Sequence, residues 1–173
     1  LISGYFSYDS IRYVENIPNS CKDDLKVPYV RLLRPRTLVV HDNLEKKIFY
    51  IVNIFSDEKI NNYHKKYFEI KSEISKLLIQ SSKRKLIKKS SIKVTKINVK
   101  SNTSKSKFLS MINKAKVYIK LGDIFQVVLS QRFEAKLTKK PLEIYKKLRV
   151  TNPSPFMYFF NFKDFQIIGA SPE

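Results

Sequence analysis

Apolar residues recur along this chain in two periods, and the places where the period changes mark its elements. From Tyr63 the spacing is helical: Tyr63, Tyr67, Ile70, Ile74, Leu77 and Leu78 fall three and four apart, which gives one stripe on a helix reaching about Gln80. Asp57, ahead of this run, offers an N-capping carboxylate. A second helical stripe, Phe108, Met111, Ile112, Ala115 and Ile119, follows Ser104, a capping hydroxyl, and stops at Gly122. Glycine takes a left-handed C-terminal cap without a Cβ clash. A third helix begins at Pro141, a residue tolerated in a first turn, and is broken by Thr151-Asn-Pro-Ser-Pro155.

Between these stripes the period shortens to two. Gly122 to Phe133 reads as a helix stop followed at once by a strand. Alternation places Phe125, Val127, Leu129, Gln131 and Phe133 on one face and Ile124, Gln126, Val128, Ser130 and Arg132 on the other. The first face suits a core and the second suits either water or a ligand. Gly4 to Asp9 reads as a short strand, with Asp9-Ser10 offering capping oxygens to a short helix over Ile11–Glu15. Pro28–Leu33, Thr37–His41 and Lys47–Phe55 are β-rich, and the turn chemistry of Asp42-Asn43 makes the last two a hairpin. Phe156–Phe162 is apolar on both faces, and Lys163-Asp164 turns it into Phe165–Gly169. Residues 81–107 are rich in serine and lysine, with Ile92, Val94 and Ile97 as a marginal strand, and read as a surface connector. Strands and helices come mixed, mostly as hairpins and without βαβ alternation. That predicts an α+β fold with antiparallel sheet.

Composition changes this picture little. A chain of 173 residues with 43% hydrophobic and 13% aromatic content has the means to build a core. No apolar run approaches the roughly 20 residues of a membrane span, and no signal peptide is evident. The single cysteine, Cys21, excludes an internal disulfide and fits a reducing, cytoplasmic compartment. The chain opens at Leu1 without a methionine and closes on Ser171-Pro172-Glu173 directly after an apolar run, so an internal piece of a longer protein is expected. The net charge of +19 raises the possibility of a basic nucleic-acid-binding module. Lysine supplies most of that charge, whereas phosphate and base recognition favours the arginine fork. Lysines that travel with isoleucine and asparagine point instead to compositional drift on solvated faces.

Several chemistries are absent. His41, His64 and Cys21 lack neighbours at metal-ligand spacing. Three glycines, Gly4, Gly122 and Gly169, cannot make a phosphate-cradling loop. Two isolated histidines support no nucleophilic triad.

What remains is wording. Gly122–Phe133 resembles the signature strand of the chorismate-utilising enzymes, and within them the anthranilate synthase component I branch. Gly4–Glu15 is similar to that branch's GYFGYDxVRYxE, Thr151–Met157 to its NPSPYM, and Gly169–Glu173 to its GASPE. The blocks come in the family's order, and only the segment from about Asp57 to Lys100 carries no family wording.

The resemblance implies an antiparallel β-sheet sandwich with helices packed outside. Residues 1–56 would be an N-terminal sheet region, 57–107 a helical connector and 108–173 the start of the chorismate-binding core. It implies addition of ammonia to chorismate, loss of the C4 hydroxyl and elimination of pyruvate, in tryptophan biosynthesis. Mg²⁺ would be held by residues beyond Glu173, and ammonia would come from a glutamine amidotransferase subunit; neither nucleic acid nor membrane is an expected partner.

By the same resemblance Gln126 stands where water-using relatives carry a water-activating lysine, and Glu173 where they carry a general acid. Pro155, Phe156 and Met157 match the segment that helps bind the feedback inhibitor tryptophan. Phenylalanine at 156, in place of the usual tyrosine, removes a hydroxyl. The related aminase that makes aminodeoxychorismate for folate synthesis is the nearest alternative, and Arg12–Glu15 with Val127-Val128 favours the anthranilate branch. Residues 1–173 alone are expected to be inactive.

Overall fold

The computed structural model describes residues 1–83 and 97–172. Contacts divide the chain into two compact units, Leu1–Lys89 and Ser90–Glu173.

In the first unit, β1 (Ser3–Phe6) pairs antiparallel with β2 (Val30–Leu33). Gly4 stands opposite Leu32, and a Cβ on Gly4 would collide with the Arg31 carbonyl oxygen and lie 2.8 Å from Leu32 Cα. Glycine here answers a close backbone approach. The expected short helix is a 3-10 turn over Tyr8–Tyr13. Asp9 sits inside it and receives the Arg12 guanidinium at 3.0 Å, rather than capping its start. Arg12 also donates to the Ile17 and Pro18 carbonyls, both at 2.9 Å, and so fixes the following loop.

The second ladder of this unit is the predicted hairpin. β3 (Thr37–Asp42) pairs with β4 (Lys47–Val52), and the Asp42 carboxylate accepts from the Leu44 and Glu45 amides to close the turn. Helix α1 (Tyr63–Ser82) packs on β4. Its N-cap is Asn62, whose side chain accepts from the Lys65 amide at 3.0 Å. The expected cap, Asp57, is instead held by both oxygens against Arg34, at 2.8 and 3.1 Å. Both contacts come from the same guanidinium nitrogen, Nη2, and the charge-assisted pair holds Asp57 away from a helix that begins six residues later.

In the second unit, α2 (Lys105–Leu121) follows the predicted cap: Ser104 Oγ accepts from the Lys107 amide. It ends as predicted, with Gly122 left-handed at φ 79°. The stripe positions Phe108, Met111, Ile112 and Ala115 are half-buried, while Ile119 is exposed. α3 (Pro141–Thr151) has proline in its first turn, as expected. β5 (Val99–Ser101) pairs with β6 (Phe133–Ala135), and β7 (Phe156–Asn161) with β8 (Gln166–Ser171). α3 packs on both β7 and β8.

The strand expected from Gly122 to Phe133 is a correction. Only its end, from Phe133, lies in a ladder; Ile124–Arg132 carries no strand pairing. The partner runs out first. Asn102 donates from its backbone to the Arg132 carbonyl and accepts the Arg132 amide on its side chain, and then the chain turns into α2. Alternation gives a segment two faces, but a strand also needs a neighbouring edge. Phe125, on the face expected to meet a core, is fully exposed.

The described residues thus form a mixed α+β fold in which every strand pairing is antiparallel, in four two-stranded ladders. Phe162 is the one buried hydrophobic residue among them. No described helix is long and apolar enough to cross a membrane. Of the predicted marginal strand, Ile92 and Val94 lie outside the described residues, and Ile97 is exposed and outside any ladder, two residues before β5.

Candidate functional site

Two proline positions start the site. Pro153 and Pro155 lack backbone donors, so α3 cannot continue through them. It closes instead on the Asn152 amide, which bonds to the Leu148 carbonyl at 2.8 Å. Ser154 Oγ then donates to the Phe156 carbonyl at 3.1 Å, which ties the loop to the first residue of β7.

From there β7 and β8 run as one antiparallel hairpin. Phe156 faces Ser171, Met157 faces Ala170 and Tyr158 faces Gly169, down to Asn161 opposite Gln166 at the closed end. Side chains alternate across the ladder, so Phe156, Tyr158, Phe160 and Phe162 share one face and Met157 and Phe159 share the other. The first face is an aromatic row. Ring centroids lie 5.8 Å apart for Tyr158–Phe160, 5.7 Å for Phe160–Phe162 and 5.1 Å for Phe162–Phe165. Exposure falls from 60% at Phe156 to 2% at Phe162, so the row is anchored at the turn and open at the Phe156 end. On the second face Phe159 meets Tyr145 of α3 at 5.8 Å.

This geometry separates residues that are neighbours in sequence. Phe156 and Met157 project to opposite faces, Phe156 exposed and Met157 half-buried beside Ala170. A ligand touching both would have to reach around the ladder from one face to the other. Phe156 is also paired with Ser171, the second residue before Glu173. Glu173 itself lies outside the described residues. Gln126 is exposed, on the unpaired segment between Gly122 and the β5–β6 ladder, and is not part of the β7–β8 hairpin.

No sequence signal gave Tyr158 a role, and Gly169 entered the functional reading only as the first residue of a family block. A Cβ on Gly169 would run into the Cζ and Oη of Tyr158 and lie 2.6 Å from its Cε2, so the phenol lies across β8 at that point. A lone glycine inside an apolar strand was the available signal.

The groups with displaced pKa values lie elsewhere, in the first unit. The hydrogen bonds from Arg34 hold Asp57 below the usual carboxylate range. Glu58 is lowered first by the Phe55 amide, at 3.0 Å, and then by Arg36. Lys66 reaches the same carboxylate at 3.3 Å, and Arg34 stacks 3.9 Å from the Phe55 ring centre. This cluster clasps the β2–β3 connection to the β4–α1 connection and is architecture rather than a site. An open groove along α1, lined by Lys65, Phe68, Glu69, Ser72, Glu73 and Lys76, involves none of the predicted residues. Among the described residues no group of three or more His, Cys, Asp or Glu is placed to hold a metal ion.

Comparison with known proteins adds what geometry cannot. Residues 2–173 match the family model described as chorismate binding enzyme. Anthranilate synthase component 1 of Acetivibrio thermocellus is 38% identical over 98% of this chain and 35% of its own length. The Bacillus subtilis protein of the same name is 36% identical, again over 98% of this chain and 35% of its own. The crystal structure of anthranilate synthase component I from Streptococcus pneumoniae TIGR4 superposes with a TM-score of 0.81 at 31% identity, covering 99% of this chain and 38% of that one. The chain therefore spans about a third of the length of the relatives it matches.

Proposed function

This chain belongs to the chorismate-binding enzyme family, and on that premise we propose that the protein acts as component I of an anthranilate synthase. Chorismate and ammonia would be converted to anthranilate and pyruvate, with tryptophan as feedback inhibitor and ammonia delivered from glutamine by a partner amidotransferase subunit. A cytoplasmic location belongs to the same proposal. The observation that carries the reading is the β7–β8 register. It sets Phe156 and Met157, from the block of family wording Thr151–Met157, directly opposite Ser171 and Ala170, from the block that begins at Gly169.

The roles follow from what each side chain is able to do. The reaction needs a proton delivered to the departing C4 hydroxyl, and Glu173 is the carboxyl group assigned to supply it. A general acid must hold its proton until the transition state, which requires burial or a negatively charged neighbour such as the substrate. Gln126 carries a neutral amide that cannot serve as a base towards water. It shapes the nucleophile's place while ammonia, itself the nucleophile, needs no such activation. Pro155, Phe156 and Met157 supply an apolar edge, a ring and a thioether, which suit an indole.

Mg²⁺ in this family would hold the substrate's carboxylate. The described residues do not furnish a site for it, and none of the roles above passes through the ion.

The test is direct. The full-length protein, supplied with chorismate, Mg²⁺ and ammonium, should form anthranilate, followed by its fluorescence, together with equimolar pyruvate. Accumulation of aminodeoxychorismate without pyruvate would move the protein to the folate branch. No turnover of chorismate at all would refute the proposal.

A further inference from the structure

The Tyr158 ring lies where a side chain on Gly169 would be, directly across the ladder from it. Removing that ring would leave β8 with neither a side chain at 169 nor a cover over its backbone. The next two ladder pairs, Met157 with Ala170 and Phe156 with Ser171, are the last before Pro172. On one strand they carry the segment assigned to the inhibitor, and on the other they lead to the residue assigned as general acid. The closed end is held by the buried Phe162 and by Gln166 donating to Asn161 at 3.0 Å. At the open end the Tyr158 ring adds a side-chain contact across the two strands to the ladder itself and to the packing of α3 on both of them.

We propose that Tyr158, laid across Gly169, is the positioning residue that couples the inhibitor segment Pro155–Met157 to the Ser171-Pro172 end of β8. The inference rests on the functional reading above. Glycine at 169 is the counterpart of the ring: the phenol can lie flat only where no Cβ stands beneath it. A displacement of Phe156 or Met157 by tryptophan is thereby carried across the ladder to Ala170 and Ser171 rather than absorbed by a loose β8.

Coupling between two ligands is reciprocal, so it is read as the ratio of tryptophan dissociation constants with and without saturating chorismate. In the full-length wild-type protein that ratio should lie in the range typical of allosteric pairs, roughly 5- to 150-fold. Tyr158→Ala should bring it to about 2 or less, while Tyr158→Phe, which keeps the ring, should stay within about 2-fold of wild type. Gly169→Ala displaces the ring from the opposite strand and should lower the ratio likewise. A Tyr158→Ala protein that keeps the wild-type ratio overturns the inference, and so does a Tyr158→Phe protein that loses as much as Tyr158→Ala. If Tyr158→Ala does not fold, Gly169→Ala decides alone, and an unchanged ratio there overturns it equally. A wild-type protein that forms no anthranilate or binds no tryptophan refutes the functional reading instead, and is recognised before any variant is made.

Discussion

Replacing Gly4 with alanine puts a methyl group where the β1–β2 ladder has no room for one. The new carbon would overlap the Arg31 carbonyl oxygen and sit 2.8 Å from Leu32 Cα and 2.9 Å from Arg31 C. All of these are backbone atoms, so no side-chain rotation relieves the contact and the strands must part. Overpacking typically costs about 1–3 kcal/mol, and a rigid backbone target puts Gly4→Ala near the upper end, about 3 kcal/mol. Gly122→Ala is the control. Its φ of 79° strains any residue with a Cβ, yet nothing lies within 4 Å of the new atom. Left-handed strain alone should cost about 1 kcal/mol. The cost of Gly4→Ala, about 3 kcal/mol, falls on the β1–β2 ladder and is on the order of 100-fold in its opening equilibrium, whereas the strain of Gly122→Ala falls on the end of α2.

Native-state hydrogen exchange reads this locally. In the full-length protein, peptides covering residues 3–6 and 30–33 should exchange on the order of 100-fold faster in Gly4→Ala than in wild type. The Ser7 amide, bonded to the Tyr29 carbonyl at 2.7 Å beside this ladder, should follow. Gly122→Ala should leave those peptides unchanged. Equal exchange in the two variants would refute the close-approach argument.

Ser7 Oγ is buried without a hydrogen-bond partner, and its backbone (φ −73°, ψ 163°) accepts alanine. Ser7→Ala should therefore stabilise the protein by about 1 kcal/mol, and a lower denaturation midpoint would contradict that. Asp57 and Glu58 both have lowered pKa values, so their pairs contribute stability in full above the ordinary carboxylate range, and it is lost as pH falls through the lowered values. Unfolding midpoints between about pH 6 and pH 3 should thus fall less steeply for Asp57→Asn than for wild type, and parallel curves would remove Asp57 from the account. Met157→Ala should weaken tryptophan inhibition more than it alters the chorismate KM, whereas equal changes in both would leave Met157 as packing. Glu173→Gln should lower turnover about 10²–10⁴-fold with little change in chorismate binding, and near-normal ammonia-dependent turnover would end its role as general acid. Gln126→Lys should lower anthranilate formation and admit water addition to an isochorismate-like product, and an unchanged rate and product spectrum would return Gln126 to an ordinary surface residue.

What the sequence determined by itself was whatever a few consecutive residues decide. Ser104 reaches an amide three positions on, Gly122 turns left-handed without help, and Pro141 fits a first turn whatever surrounds it. The Asp42 turn and the β7–β8 connection at Lys163-Asp164 closed as read, because each hairpin joins strands adjacent in sequence. The family, too, was written in short blocks that keep their order. Tertiary structure decided everything that needed a distant partner. Asp57 reads as a helix cap until Arg34 takes it. Ile124–Arg132 alternates like a strand, yet Asn102 turns away and leaves it without an edge to pair with. Phe156 and Met157 read as one pocket lining and stand on opposite faces of a ladder whose register fixed them there. Gly169 explains nothing until Tyr158 is seen lying across it. Local hydrogen bonds span a few residues and are encoded where they form, whereas a ladder, an ion pair or a ring contact depends on which remote segment arrives beside it.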